Sequence, residues 1–294
     1  MNIYAWWIAC RPNTLIVSIA PVMLGIALAI HNDNISSFFV ASLTLISSVF
    51  IQIGTNLIND LFDFINGADT DERLGPLRAT QSGLIAAEQV KIGAYVSFLI
   101  ALIIGVYLVY IGGYPILIIG ILSLISGYCY TAGPYPLAYN GLGDIFVFIF
   151  FGMIAVPGTY YLQSGFLFDF DALLIGSSIG FIAVAILCVN NIRDINADKT
   201  VGKKTLAVRF GINKIKLMFD LMIILPFISV FLLSLSNSFQ HQLELYLVFL
   251  SLPVAFQLIK DIHKMNGRNL NKVLSRTALF IRLFSALLFL GIVL

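Results

Sequence analysis

Amide and carboxylate side chains recur at helical spacing in two distant parts of the chain. The first set runs from Asn56 to Asp63, within about two helical turns, so its members share one face of a helix. Mg²⁺ is a hard cation that is typically held by one or two carboxylates together with substrate phosphates. Each set therefore predicts one Mg²⁺ site with catalytic aspartates. The first set is Asn56, Asn59, Asp60 and Asp63, and the second is Asn190, Asn191, Asp194 and Asp198.

Basic residues follow both sets. Arg73 and Arg78 come after the first, and Lys203 comes after the second. Their side chains suit phosphate oxygens, so acids and bases together predict a site for a metal and a diphosphate. Cytoplasmic loops of membrane proteins are also rich in Lys and Arg, and this alternative explains most of the bases. Arg78 and Lys203 are the preferred diphosphate ligands because each closes a glycine-containing loop beside an acidic set.

The composition requires that these sites belong to a membrane protein. The chain has 294 residues, of which 59% are hydrophobic and 11% charged, with a mean hydropathy of +0.96. A soluble domain carries about a quarter charged residues. Soluble enzymes and nucleic-acid binders are therefore excluded. An ionised Asp near the middle of a spanning helix costs roughly 2.5 to 3.5 kcal/mol, so two acidic sets favour a functional site over incidental helix caps.

Apolar runs predict an all-α integral membrane protein, with nine transmembrane helices around a central cavity. Helices are expected because backbone polar groups in lipid must be satisfied within their own segment. We expect one domain over 1–294, with long cytoplasmic-side loops near 64–88 and 195–213 that carry the site. The predicted helices are 14–31, 38–63, 89–110, 114–132, 142–163, 172–194, 214–236, 242–262 and 275–293.

The charge distribution predicts the orientation. If the N-terminus is cytoplasmic, every Lys and Arg except Arg282 falls in a segment on the inside, and the predicted outside loops contain none. Arg282 lies within the last predicted helix. We therefore expect a multi-pass protein of the plasma membrane, with its N-terminus and site loops in the cytoplasm and its C-terminus outside.

The acidic sets resemble the motifs of the UbiA-type intramembrane prenyltransferases. The family's first motif, Asn-Asp-x-x-Asp-x-x-x-Asp, is matched by Asn59, Asp60 and Asp63, but Gly67 stands at the third acid and Asp69 comes two residues later. The second motif, Asp-x-x-x-Asp, is matched by residues 194 and 198. The stretches 67–83, 130–144 and 190–209 resemble the menaquinone-pathway branch, which implies transfer of a polyprenyl chain to 1,4-dihydroxy-2-naphthoate with loss of diphosphate and CO₂, giving demethylmenaquinone.

The resemblance implies further roles. Tyr130 and Tyr139 are candidates to stabilise an allylic cation with their ring faces, although an interfacial aromatic belt explains such tyrosines equally well. Asn140 and Asp144 are candidates to bind the aromatic acceptor, and Asp69 is a candidate metal ligand. The expected cofactor is Mg²⁺. The expected partners are a polyprenyl diphosphate, dihydroxynaphthoate and the lipid bilayer, with no nucleic acid and no obligate protein partner.

Two alternatives remain open from the sequence. The first is transfer to another aromatic acceptor, such as 4-hydroxybenzoate or homogentisate. The second is a cation-coupled transporter, which also uses intramembrane acids. Alternating access needs a site that can face both sides, whereas the acids here fall at helix ends on one side.

Overall fold

The computed structural model describes residues 3–69, 73–239 and 242–294, and within these ranges the chain forms helices and no strand. The helices follow one another with short connections, except for the longer loops after the third and fourth helices. They are α1 Ile3–Cys10, α2 Pro12–His31, α3 Phe38–Ile65, α4 Ala87–Cys129, α5 Gly143–Ser164, α6 Phe170–Arg193, α7 Ile195–Thr200, α8 Leu206–Phe210, α9 Ile212–Leu233, α10 Leu243–Lys264 and α11 Gly267–Val293.

Eight of the helices in the described residues are long and apolar enough to cross a membrane: α2, α3, α4, α5, α6, α9, α10 and α11. The longest, α4, has 43 residues. At 1.5 Å per residue it would measure about 65 Å, roughly twice the thickness of a hydrocarbon core. The backbone leaves the helical conformation at Gly113 (φ 66°, ψ −153°), just before Pro115. This break lies between the predicted helices 89–110 and 114–132.

Three helices depart from the expected pattern. The segment Phe148–Ile154 inside α5 is a π-helix, and Leu243–Ser251 at the start of α10 is a 3₁₀-helix. The last helix begins before its predicted start at 275, because Asn271 and Lys272 interrupt the apolar run there without ending the helix. Helix α1 is not among the predicted helices, because it is too short to register as a spanning segment. Ala5 and Ala9 of α1 are buried, and the helix packs against α3.

Helix α6 lies at the centre of the bundle. It is apolar all round, as expected for a helix surrounded by others. Ile175, Ile179 and Ile182 are fully buried, and α5, α9 and α11 pack around them. The approach to α5 depends on small residues, since a Cβ built on Gly176 would lie 2.2 Å from the carbonyl oxygen of Gly152. Small residues at such crossings let helix backbones come close in a membrane.

We expect Gly176→Ala to destabilise the protein by about 1 to 3 kcal/mol, the usual cost of overpacking, because the methyl group meets backbone that cannot move aside. The midpoint of thermal unfolding in detergent measures this loss. Gly120→Ala is the matched control, since no atom lies within 4 Å of the Cβ position there. Equal midpoints for the two variants would show that the close approach of α5 and α6 does not hold in solution.

The ends of α3 and α6 bring the acidic side chains together. Gly67 adopts φ 70° after α3, the left-handed conformation that commonly ends a helix. The amides of Ala68 and Asp69 both donate to the carbonyl of Asp63 (2.8 and 3.2 Å), so the chain folds back on the helix end. At the other helix, Asp198 donates its amide to the carbonyl of Asp194 (2.8 Å), which directs α7 across the end of α6.

Candidate active site

A cavity of about 930 Å³ extends through the bundle. Its polar end is lined by Asp63, Asp198 and Lys203, which lie at the ends of α3 and α7 and in the loop that follows. Its opposite end is lined by apolar side chains, including Leu108 just before the break in α4 and Leu162 near the end of α5. The cavity thus combines a charged head with an apolar shaft, which is the shape of an amphiphile with a charged group and a long hydrocarbon chain.

Lys203 links the two acidic sets. Its Nζ lies 2.8 Å from Oδ1 of Asp63 on α3 and 3.9 Å from Oδ1 of Asp198 on α7. Thr205 also donates to Asp198 (3.4 Å). The two carboxylates are 135 positions apart in sequence, yet one ammonium group approaches both. The ends of α3 and α6 therefore meet at one site rather than forming two separate ones.

Arg78 holds the first acidic set together. Its Nη2 donates to Oδ2 of Asp63 (3.3 Å), and its Nε lies 3.2 Å from Asp69 and 3.9 Å from Asp60. Asp60 is almost completely buried and accepts bonds from the amide and hydroxyl of Thr80 (3.2 and 3.1 Å). The loop after α3 is thus anchored to the helix end by charge and by hydrogen bonds.

Asp69 joins this set although the motif places its third acid at Gly67. The left-handed turn at Gly67 returns the chain, so Asp69 pairs with both Arg73 and Arg78. Burial raises the pKa of the Asp69 carboxyl to about 6 against the opposing charge of Arg73. Burial likewise raises the pKa of Asp198 to about 6, opposed by Lys203. Ionising a buried carboxyl group costs free energy, and further positive charge nearby lowers that cost.

The second set is organised by an arginine. Arg193 donates to both oxygens of Asp194 (2.8 and 2.7 Å) and to Oδ1 of Asn271 at the start of α11 (2.9 Å). Asn271 in turn donates to the carbonyl of Leu74 (2.7 Å), which fixes the first site loop to the last helix. The amides of residues 190 and 191 line the cavity one turn before Asp194.

The two candidate tyrosines lie differently. Tyr139 donates its hydroxyl to Oδ1 of Asp63 (3.0 Å), and Nζ of Lys203 lies 4.4 Å from its ring centroid. Burial and the charge of Asp63 raise the pKa of the Tyr139 phenol, which therefore remains a hydrogen-bond donor. Tyr130 lines the cavity directly.

The remaining predicted amides make structural bonds. Asn56 donates to the carbonyl of Cys10 (3.0 Å) and to the hydroxyl of Thr14 (3.1 Å), which joins α3 to the turn between α1 and α2. Asn59 accepts a bond from Arg11 (2.8 Å), and both amides line the cavity. Asn140 donates to the carbonyl of Pro136 (2.8 Å) in the turn before α5. Roles of these three residues in substrate binding stay predictions.

Sequence reasoning missed four polar groups at the site. Arg11 and Arg193 line the cavity, but in the sequence the charge asymmetry between loops already accounts for both. Arg11 directly precedes the Pro that begins α2, and Arg193 directly precedes Asp194, so their positions at helix ends could have indicated a role. Thr80 and Asn271 carried no local signal, because their partners lie far away in sequence.

The carboxylate donors of the site fit a hard divalent cation, although basic side chains lie between them in this structure. Within the described ranges no three His, Cys, Asp or Glu side chains are placed to hold a metal ion, since Arg78 and Lys203 lie between the carboxylates. Oδ1 of Asp60 and Oδ2 of Asp69 are nevertheless buried; each faces Nε of Arg78, at 3.9 and 3.2 Å, but accepts no hydrogen bond from any described residue. Buried carboxylate oxygens of this kind are the ligands that Mg²⁺ prefers.

Comparison with known proteins identifies relatives that share one name. The chain is 38% identical over 216 residues to the 1,4-dihydroxy-2-naphthoate octaprenyltransferase of Haemophilus influenzae, covering 71% of this chain and 70% of that protein. It is 33% identical over 254 residues to the Bacillus subtilis protein of the same name, covering 86% of this chain and 80% of that one.

Solved structures share the fold at lower identity. A UbiA homologue from Archaeoglobus fulgidus bound to DMAPP and Mg²⁺ superposes with a TM-score of 0.64 at 18% identity, covering 96% of this chain and 98% of that one. The apo UbiA homologue from Aeropyrum pernix K1 gives 0.70 at 12% identity, with 92% and 96% covered. The profile of the UbiA prenyltransferase family matches residues 18–288, and the chain belongs to that family.

Proposed function

We propose that the protein is a Mg²⁺-dependent 1,4-dihydroxy-2-naphthoate polyprenyltransferase. It moves a polyprenyl chain from its diphosphate to the naphthoate ring and releases diphosphate and CO₂, giving the reduced, quinol form of demethylmenaquinone. The observation that carries the proposal is the cavity, whose charged head joins two acidic sets and whose apolar shaft continues through the bundle. Relatives at 33 to 38% identity that are named for this reaction support the acceptor.

The charged head would hold the diphosphate. Arg78, Lys203 and Arg193 already meet carboxylates at its wall, and the same donors suit phosphate oxygens. The metal would be held by the acidic sets, that is, by residues 60, 63, 69, 194 and 198. A bound Mg²⁺ would supply positive charge to the leaving diphosphate. Fixed charges of this kind need no reorganisation when the bond breaks, which is why they contribute strongly to catalysis.

The shaft would protect the allylic cation. Its wall is mainly apolar, so little water can intercept the cation before the acceptor does. The ring of Tyr130 faces the same cavity and is suited to stabilise the cation by its π-face. Tyr139 donates its hydroxyl to Asp63 and so is placed to position that carboxylate.

Two other functions are less well supported. Transfer to 4-hydroxybenzoate or homogentisate would use the same charged head, and only the acceptor end of the cavity would differ. A cation-coupled transporter would need its acids to face both sides in turn. Instead, Lys203 lies between the two acidic sets and Arg78 holds the first set together, both at one end of the bundle, which favours a fixed site.

We further propose nine spans, with Gly113 dividing α4 into two of them, in the plasma membrane with the N-terminus and site loops cytoplasmic and the C-terminus outside. Ser82 is exposed in the first site loop. In a background without native cysteines, Ser82→Cys should react with an impermeant maleimide in inside-out vesicles and remain unlabelled in intact cells. Labelling of intact cells would reverse the orientation.

The test of function is a defined assay. Purified protein receives Mg²⁺, a radiolabelled polyprenyl diphosphate and, separately, dihydroxynaphthoate, 4-hydroxybenzoate or homogentisate, and products are identified by mass. We expect a decarboxylated prenyl product from dihydroxynaphthoate alone. If another acid gave product, the protein would act on another class of acceptor. If no acid gave product, the proposed prenyl transfer would be rejected.

A further inference from the structure

One acid of the cavity does not belong to the charged head. Asp144 lies in the first turn of α5 and is 5% exposed. It lines the cavity, and its buried Oδ1 accepts no hydrogen bond from any described residue. A buried carboxylate oxygen without a partner is costly, so such an atom calls for an explanation from function.

The charge environment of Asp144 sets it apart from the other cavity carboxylates. Asp63, Asp194 and Asp198 each have an Arg or Lys nitrogen within 4 Å. Within the described part of the chain, Asp144 has no ion pair. A diphosphate subsite would use cations, and no described Lys or Arg forms an ion pair with Asp144. A carboxylate in apolar surroundings without a counter-ion instead gains free energy by accepting a proton.

The position of Asp144 suits the aromatic acceptor. A Cβ built on the adjacent Gly143 would lie 3.5 Å from Leu187 and 3.1 Å from the hydroxyl of Tyr130. Leu187 precedes Asp194 by about two turns of α6, which places this part of the wall roughly 10 Å deeper than the charged head. Burial, and after it the charge of Asp144, raises the pKa of the Tyr130 phenol, so a neutral hydroxyl donor lies beside the unpaired carboxylate.

We infer that Asp144 accepts the proton of the acceptor hydroxyl that neighbours the ring carboxylate, with Tyr130 positioning the ring by a hydrogen bond. The inference rests on the proposed function. Removing that proton raises electron density at the adjacent ring carbon, where the prenyl group must attach. General-base assistance of this kind typically contributes 10²- to 10⁴-fold.

The step balances without another reactant. The bond between prenyl C1 and the diphosphate oxygen breaks, and its electron pair leaves with diphosphate. The hydroxyl proton passes to Asp144, and the hydroxyl-bearing ring carbon becomes a carbonyl carbon. The neighbouring ring carbon, which bears the carboxylate, forms the new bond to prenyl C1. The bond to the carboxylate then breaks and releases CO₂, its electron pair restores the aromatic ring, and Asp144 returns the proton to the oxygen. No net proton is consumed.

The test separates ionisation of the diphosphate from capture by the ring. Prenyl diphosphate labelled with ¹⁸O at the bridging position reports ionisation by exchange of the label, and product mass reports transfer. In Asp144→Asn we expect transfer to fall roughly 10²-fold or more while isotope exchange persists. Asp33→Asn, an exposed acid at the other end of the bundle, should match wild type in both readouts.

Four results would overturn the inference or the function on which it rests. Transfer by Asp144→Asn at the wild-type rate would remove the base, and an equal fall in exchange and transfer would assign Asp144 to the diphosphate head. A wild type that ionises the diphosphate but prenylates no acid would reject the proposed function itself. If Asp144→Asn folds poorly, the wild type can be tested with a 1-methoxy analogue of the acceptor, which has no hydroxyl proton to lose. We expect the analogue to compete for binding and to receive no prenyl group. Normal prenylation of the analogue would contradict a proton-accepting Asp144.

Discussion

Asp63→Asn should lower prenyl transfer by roughly 10²- to 10³-fold or more, the scale expected when a preorganised electrostatic group is lost. Asp63 lies at the centre of the site, since Lys203, Arg78 and Tyr139 all contact its two oxygens. The amide keeps the shape of the side chain but removes the charge that would bind metal and hold both bases. Initial rates with saturating substrates measure the effect.

Asp33→Asn is the matched control for this substitution, because it makes the same chemical change at an exposed acid beyond α2. Its activity should equal that of the wild type. Thermal unfolding of both variants in detergent separates loss of activity from loss of fold. If Asp63→Asn remained folded and retained full turnover, the acid at the centre of the site would have no catalytic part.

Removal of divalent metal should abolish turnover, and Mg²⁺ should restore it. Without the cation, the leaving diphosphate loses charge compensation worth several kcal/mol, which corresponds to roughly 10²-fold or more in rate. Ca²⁺ should restore less, because it favours more ligands at longer distances than Mg²⁺. The measurement is the initial rate after treatment with a chelator and after return of each metal.

A binding readout makes the metal prediction independent of activity. A ligand that binds the folded state raises the midpoint of thermal unfolding. Mg²⁺ with a non-reacting prenyl thiodiphosphate should therefore stabilise the wild type and stabilise Asp63→Asn much less. Turnover that persists in a chelator would contradict ionisation assisted by a divalent metal.

The local features of the site could be predicted because they depend on short-range periodicity. The spacing of Asn56, Asp60 and Asp63 fixes a common helix face, and the apolar runs that surround the acids fix spanning helices. The pair Gly112 and Gly113 separated two apolar runs, and the break in α4 lies there. These inferences needed no knowledge of distant contacts.

The long-range part of the site could not be derived in the same way. Lys203 contacts Asp63 across 140 positions, and Asn271 contacts the carbonyl of Leu74 across 197. No local pattern encodes such pairs. Asp69 is an intermediate case: the left-handed turn at Gly67 brings it to Arg78 beside the first acidic set, and its role as a metal ligand stays a prediction.

The arginines at the site could not be recognised in the sequence, because basic residues near helix ends also have a cause unrelated to the site. Lys and Arg accumulate at the cytoplasmic ends of helices for reasons of membrane insertion, so Arg11 and Arg193 did not stand out in sequence. Only the structure distinguishes them, because Arg193 forms two bonds with Asp194 and Arg11 bonds to Asn59.

The central claim is that the acids of α3 and α7 act on one diphosphate. A double-mutant cycle tests it most directly, with Mg²⁺-dependent affinity for prenyl thiodiphosphate measured in wild type, Asp63→Asn, Asp198→Asn and the double variant. We expect each single change to weaken binding and the double change to cost less than their sum, with a coupling of about 0.5 to 3 kcal/mol. Strictly additive losses would mean that the two acids serve separate sites.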